Sequence, residues 1–424
     1  MSEQNLNEVV EPTKTEEQKP KKGLGGDAKK EAQVENPTPT KGLGGDAKAT
    51  RVRESSSKAD FTIIGVGQGG NNIGTTLVKT LGINPDNFIV INMSQADLSV
   101  STAKEDNKIK FGKTEGAGKN RDLSKEEIKT NMHILDGLVT KHHSKIFGPN
   151  KIVIVAYSTG GGTGSGTGTL ITTYLTQYVL SKKAEIGIVN TPQVIGLAIM
   201  PILNQTYDAG EKSYQNTLEC LSEIQNIVSK KLGTFCLIDN DTESTAKDPL
   251  EIYKIVNQRV AEGFKRFFID IGKSESNADL QDRLTALEHP GIFGIYGIDK
   301  KYQFLVPQQM DPAKLMIAEI PEGDESIGAL RRFLRDNGIK SNEEIIAHSD
   351  ISEGVVGLFA VDCVSKLVEP IRQKLEDNII RSVKNAAQVE SQAIGFHGME
   401  SSREHIRQQS EKQSTDLNDI SSLF

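Results

Sequence analysis

"STGGGTGSGTG", Ser158–Gly168, decides how the rest of this chain is read. Six glycines, three threonines and two serines fill it, straight after the apolar run "KIVIVAY" (Lys151–Tyr157). Glycine loses more freedom on folding than any other residue, so its concentration where a strand hands over to a helix needs a reason. Such turns let backbone N–H groups approach an anion, and the helix that follows aims its positive end at the same spot. One dipole contact contributes roughly 0.3–1 kcal/mol, so a site needs several converging on one polyphosphate. The loop adds hydroxyls at Thr163, Ser165 and Thr167 but no lysine.

Outward from this loop the pattern alternates between strand and helix. "FTIIGVG" (61–67), "FIVINMS" (88–94), "KIVIVAYST" (151–159), "VIGLAIMP" (194–201) and "TFCLIDN" (234–240) are continuous apolar runs, as parallel strands covered on both faces require. "LSKEEIKTNMHILDGLV" (123–139) reads as a helix, with Ser124 and Glu127 in capping-box spacing and Leu123 and Ile128 placed as a staple. "TLITTYLTQYVLSK" (169–182) continues from the glycine loop as another. The expectation is an α/β fold with ligands at the C-terminal ends of a parallel sheet.

Three phosphate-binding schemes compete. A Walker A loop needs GxxxxGK[ST], and no such lysine follows these glycines. A Rossmann site could use Gly65, Gly67 and Gly70 of "GVGQGGNN" as GxGxxG, but the next strand ends in Asn92 and Ser94 where a ribose-binding carboxylate is expected. The third scheme uses both glycine loops together.

Composition narrows the class. The chain has 424 residues, 36% hydrophobic and 25% charged, enough for two domains with real cores. A net charge of -7 and a pI near 5.7 argue against generic nucleic-acid binding. Cys220, Cys236 and Cys363 are too far apart for a zinc motif and read as reduced thiols. No HExxH occurs, and His142 and His143 are adjacent and cannot share one helix face, so no metal ligands are assigned. The N-terminus lacks a signal-peptide pattern and no apolar run approaches the roughly 20 residues of a membrane span, so a cytoplasmic location without membrane insertion is expected. The first aromatic residue is Phe61, and residues 1–59 read as a disordered arm. Within it "KGLGGDAK" occurs twice, at Lys22–Lys29 and Lys41–Lys48, either as duplicated linker or as a paired binding motif.

"GGGTGSG", covering Gly160, Gly161, Gly162, Thr163, Gly164, Ser165 and Gly166, resembles the signature of the tubulin/FtsZ superfamily of GTPases. "GVGQGGNN" is similar to the first nucleotide loop of that family, which places Gly67, Gln68, Gly69 and Asn71 near the diphosphate. "EGAGKNR" (115–121) resembles the γ-phosphate loop through Gly116, Ala117, Gly118 and Asn120. Asn240 in "LIDN" and Asn257 in "IVNQRV" resemble the guanine-reading residues, and Glu211, with Lys212 and Asn216, falls in the ribose region. "NADLQD" resembles the acidic loop that one subunit inserts into its neighbour's pocket, which makes Asn277, Asp279 and Asp282 the catalytic candidates.

The resemblance implies GTP or GDP as ligand, with Mg2+ held mostly by phosphate and water. It also implies head-to-tail self-assembly into filaments with hydrolysis activated by polymerisation. The implied layout is a GTP-binding domain (60–249), a central helix (250–272), a second, smaller domain with the acidic loop (273–362), a long C-terminal helix (363–395) and a flexible tail (396–424). That helix carries Val364, Leu367, Val368, Ile371, Leu375, Ile379, Ile380 and Val383 at helical spacing, and is more similar to plasmid and phage tubulins of the TubZ/PhuZ kind than to FtsZ. Such proteins move plasmid DNA or virus particles, and the tail or the N-terminal arm could meet a DNA-bound adaptor or a phage particle. An FtsZ-type division GTPase, a non-polymerising GTP-binding regulator and an NAD-dependent enzyme remain the alternatives.

Overall fold

The computed structural model describes residues 58–187, 191–202, 210–240, 248–272, 278–298 and 311–361, with Val368, Glu369, Arg372, Gln373, Glu376, Asp377 and Ile380. The chain starts on β1 (Asp60–Val66), buried from Phe61 onward, and turns at Gly67 into α1 (Gly67–Leu81). β2 (Phe88–Asn92), the short α2 (Gln95–Ser99) and β3 (Lys108–Lys110) follow. Three helices, α3 (Arg121–Thr130), α4 (His133–Lys141) and α5 (His143–Ile146), lead to β4 (Lys151–Ser158). The glycine loop then opens α6 (Thr163–Ile186), followed by β5 (Gln193–Ile199), α7 (Glu211–Ser229) and β6 (Thr234–Ile238).

α8 (Pro249–Phe268) comes next, started by Asp248, whose side chain accepts from Leu250 N–H, and by Pro249 in the first turn. α9 (Leu280–Leu287), β7 (Gly291–Gly297), β8 (Ala313–Pro321), α10 (Asp324–Asp336), β9 (Ser341–Ser349) and β10 (Val355–Val361) complete the described order.

All ten described strands join one sheet, in the order β3-β2-β1-β4-β5-β6-β7-β10-β8-β9. Among them only β10 runs against its neighbours, pairing antiparallel with β7 and β8. The strands expected for a smaller second domain, β7 to β10, thus continue the sheet of the first. The seam is narrow: β6 and β7 pair only at Thr234 with Gly291 and Phe235 with Ile292.

Alternate residues of each strand feed two cores, one per face. Ile64 and Val66 of β1 pack with Ile128, Ile171, Leu221 and Leu330 from α3, α6, α7 and α10. Phe61 and Ile63 pack on the opposite face with Ile73, Val256, Phe264 and Leu284 from α1, α8 and α9. The result is a three-layer α/β fold of the expected class. At the C-terminal end of α8, Phe264, Phe267 and Phe268 meet Phe61, Phe293 and Phe359, with ring centroids 5.9 to 6.5 Å apart. Each such pair adds about 0.5–1.5 kcal/mol beyond area burial, and together they fix that end of α8 against the sheet.

One local expectation is corrected. The helix read across 123–139 is two helices, and its first turn is capped by Asn120, not by Ser124. Ser124 lies inside α3 and donates its hydroxyl to the Arg121 and Gly162 carbonyls. The C-terminal helix expected over 363–395 lies outside the described residues except at the seven positions from Val368 to Ile380, each helical. The tail, the arm to residue 57 and Cys363 lie outside them altogether. Cys220 and Cys236 are free, buried thiols.

Candidate functional site

A cleft of about 1250 Å³ opens at the C-terminal ends of β1, β2, β4, β5 and β6, where Val66, Asn92, Ser158, Ile199 and Asn240 line it. Parallel sheets leave their crevice at this edge. α1 and α6 begin there side by side: Gly67 has φ 68, and a Cβ on it would stand 3.0 Å from the Gly164 nitrogen. Neither helix has a side-chain N-cap or an acidic residue in its first turn. Their first N–H groups therefore have no partner from a capping side chain, which suits a multiply charged anion. α3 differs, because Asn120 accepts from Leu123 N–H at 3.2 Å and closes its own helix.

Gly161 carries a separate signal. It lines the cleft, and a Cβ there would meet nothing within 4 Å. Protein packing does not require glycine at this position; a ligand lying close to the backbone would. By contrast, Gly162 is forced by its neighbours, since its Cβ would stand 2.7 Å from that of Ala117. The loop of residues 115–121 therefore rests directly on the glycine loop.

Two arrangements hold these loops in place. The Asn216 side-chain amide on α7 donates to the carbonyls of Lys119, Gly161 and Gly160 at 3.0, 3.1 and 3.3 Å. Beneath them the buried Arg121 pairs with Glu223, which also takes Lys125 Nζ at 3.0 Å and the Thr169 hydroxyl at 2.8 Å. Burial would raise the Glu223 carboxyl, but Arg121 and Lys125 outweigh it and hold the group below its ordinary value.

The cleft is also lined from α8 and from the residues after β6. Tyr253 and Asn257 line it one turn apart on α8, and so share a helix face. Asn240 donates to Met200 O at 2.6 Å and leaves Oδ1 buried without a partner, an acceptor available to a ligand N–H. Tyr253 was not singled out from the sequence, although its i, i+4 spacing to Asn257 is the signal that would find it.

Most expected ligand residues come together in the cleft: Gly67, Gln68, Gly69, Asn71, Gly116, Ala117, Gly118, Gly160 to Gly164, Asn240 and Asn257 all line it. Asn120, Ser165, Gly166 and Glu211 do not. Asn120 caps α3, the Ser165 hydroxyl bonds back to Gly161 O, and Glu211 accepts from Gln215 at 3.1 Å. Gly166 packs on α3, where a Cβ would meet Ser124 Oγ at 2.1 Å. Among the described residues two carboxylates line the cleft, and both are engaged: Glu115 pairs with Lys110 at 3.0 Å and accepts from Gln95 N–H, and Asp97 accepts from Asn92 at 3.2 Å. Among the described residues no cluster of three or more His, Cys, Asp or Glu is placed to hold a metal.

Asp279 and Asp282 stand elsewhere. They form a reciprocal capping box at the start of α9, each side chain accepting from the other's backbone N–H at 3.1 Å. Burial first, and the charge of Asp279 second, push the Asp282 carboxyl above its usual value. Ala278 O and Phe267 O both accept from Arg283, so the pair lies beside the C-terminal end of α8. The cleft residues of α8 lie in its first half, and from Asn257 to Phe267 the helix rises about 15 Å. β1 spans the same gap: Phe268 O accepts from Ala59 N–H at one end and Val66 lines the cleft at the other, about 20 Å of extended chain. Asn277 lies outside the described residues.

Comparison with known proteins agrees with this geometry. Residues 60–242 match the model of the Tubulin/FtsZ family, GTPase domain. No curated protein sequence matches the chain. Among solved structures, the TubZ of Clostridium botulinum phage c-st is 17% identical, with TM-score 0.58 over 77% of this chain and 99% of that one. A GDP-bound CetZ1 monomer from Haloferax volcanii is 18% identical, with TM-score 0.55 over 75% and 99%. A TubZ protofilament in its GTPγS form, from Bacillus thuringiensis serovar israelensis, is 14% identical, with TM-score 0.56 over 79% and 95%. The glycine loops, most of the cleft and strands β1 to β6 thus lie in a segment, residues 60–242, that is similar to the GTPase domain of the tubulin/FtsZ family.

Proposed function

We propose that this protein binds GTP in the cleft and polymerises head to tail, and that each bound GTP is hydrolysed with carboxylates from the next copy. The open N-termini of α1 and α6 and the loop of residues 115–121 would hold the phosphates. Tyr253, Asn257 and the unpartnered Asn240 oxygen would hold the base. Mg2+ would be bound by phosphate oxygens and water and would spread the charge that builds on them.

The separation of Asp279 and Asp282 from the cleft of their own chain is the observation that carries this reading. Phosphoryl transfer needs a positioned water and charge stabilisation more than covalent chemistry. Among the described residues the cleft's own carboxylates, Glu115 and Asp97, are tied up in other contacts, whereas Asp279 is exposed at the opposite end of α8. A head-to-tail contact is heterologous and so propagates into open filaments instead of closing a dimer. The likeness to TubZ supports a filament that positions plasmid DNA or phage particles in a bacterial cytoplasm, with an adaptor or particle met by the terminal segments. Among the described residues no helix is long and apolar enough to cross a membrane.

Negative-stain microscopy with GTP and with GDP, alongside the hydrolysis rate per subunit against protein concentration, tests the reading. Filaments with GTP and a rate rising with concentration are expected; a rate that stays flat overturns the shared site.

A further inference from the structure

Glu319, on β8, is a carboxylate almost fully buried at 1% exposure, and it has no part in the cleft. Its Oε1 accepts from Gly272 N–H at 2.6 Å and from the Ser349 hydroxyl at 2.7 Å. Its Oε2 accepts from Arg283 Nη2 at 2.8 Å and Arg266 Nη1 at 3.3 Å. Arg283 is itself fully buried on α9, with its guanidinium 4.6 Å over the Phe267 ring. It donates Nε and Nη2 to Ala278 O at 3.3 and 3.2 Å, and Nη1 to Phe267 O.

The pairing has a geometric consequence. Gly272 is where α8 hands on to the acidic segment, and Ala278 immediately precedes Asp279. One carboxylate–guanidinium pair therefore holds both ends of the segment that delivers the acidic residues. The fit at Gly272 is tight, since a Cβ there would stand 2.7 Å from Glu319 Oε1 and 2.6 Å from Ile351 Cγ2. A buried ion pair is often no more stable than apolar side chains of the same volume, so stability alone does not explain its presence. Fixing the position of what it grips does.

We propose that Glu319 and Arg283 form a clasp that sets Asp279 and Asp282 in the geometry required by a second copy's nucleotide cleft. They are positioning residues and touch no substrate. This inference rests on the shared-site reading of the preceding subsection. A misplacement of about 1 Å can cost a reaction about 100-fold without affecting binding, and that is the signature expected of the clasp.

The test uses Glu319→Gln and, because an uncompensated buried guanidinium could unfold the chain, a second variant combining Arg283→Met with Glu319→Gln. In the latter, the amide oxygen still accepts from Gly272 and Ser349 while Ala278 O is released. GTP affinity by titration and filament mass by GTP-dependent pelleting are expected to match wild type, while turnover in filaments falls about 10- to 100-fold. Adding Asp279→Asn to either variant is expected to cost far less than the product of the separate losses, because clasp and acid act as one unit. Normal turnover in both variants overturns the proposal. So does a loss of GTP affinity or of folding in both, which marks a purely structural pair, and so does a multiplicative loss with Asp279→Asn. If Asp279→Asn alone turns over normally, the shared-site reading has failed instead, and the clasp with it.

Discussion

Asn216 reaches from α7 to the carbonyl of Lys119, 97 residues earlier in the chain, at 3.0 Å, and the same amide group bonds Gly160 and Gly161. Lys119 holds a left-handed backbone with φ 61, a costly conformation for a residue with a side chain. The amide stabilises that turn and ties it to the glycine loop. Asn216→Leu would leave three inward carbonyls short of a donor, at about 1–3 kcal/mol. The melting temperature should fall, and GTP affinity should fall roughly tenfold as the two loops separate. Calorimetry and a nucleotide titration on the same sample check both.

Tyr253 is the one aromatic residue among the described residues that line the cleft, and it stands beside Asn257. Stacking of a base on an aromatic ring contributes about 1–3 kcal/mol. Tyr253→Ala should therefore weaken GTP and GDP alike by a factor of roughly 5 to 150, without altering the maximal rate in filaments. Equal loss for both nucleotides, measured by competition, separates a base contact from a phosphate contact.

Gly161 and Gly166 stand five residues apart and should respond oppositely to the same substitution. A Cβ on Gly166 would meet Ser124 Oγ at 2.1 Å and Arg121 O at 2.3 Å, whereas one on Gly161 meets nothing within 4 Å. Gly166→Ala should destabilise the fold by about 1–3 kcal/mol through overpacking. Gly161→Ala should leave the nucleotide-free melting temperature unchanged and weaken GTP binding. Melts with and without GTP read both effects, and a stable Gly166→Ala variant would contradict the packing of α3 on α6.

The features legible in the sequence are the local ones. Continuous apolar runs marked eight of the ten described strands, "GIFGIYGI" (291–298), "KLMIAEI" (314–320) and "VVGLFAV" (355–361) among them, because both faces of the sheet are covered, and the glycine loops marked the cleft. β9 was not legible: Asn342, Glu343 and Glu344 are exposed at the sheet edge, so the apolar signal is absent. The cap of α3 was misread because Ser124 and Glu127 have capping-box spacing, whereas Asn120, four residues earlier, accepts from Leu123 N–H and starts the helix. The Glu319–Arg283 pair was hidden for another reason: its partners are joined only by the fold.

His142 gives the fold an acid-side weakness. It is 1% exposed, and neither ring nitrogen has a partner. Burial, then the charges of Lys145 and Lys141, lower its pKa from 6.5 to about 4. The folded protein thus keeps the ring neutral, while an unfolded chain protonates it below pH 6.5. Between 6.5 and about 4 the unfolded state binds the extra proton, so stability falls as pH falls through that window. His142→Phe should flatten this part of the curve of melting temperature against pH. An unchanged slope would show that other groups dominate.

Asp279 and Asp282 cap the same helix, so a test of their chemistry has to leave the cap intact. Asparagine caps a helix about as well as aspartate, and Asp279→Asn therefore removes the charge while keeping α9 in place. GTP binding and assembly should persist, because the cleft lies at the other end of α8. Turnover should fall about 100- to 10,000-fold, the usual cost of losing a general base, and filaments should last longer for want of hydrolysis. The charge of Asp279 is also one of the forces raising the Asp282 carboxyl, so the acid limb of the residual rate should move to lower pH in the variant. A variant that hydrolyses GTP at the wild-type rate, or whose acid limb does not move, would show that these carboxylates only start a helix.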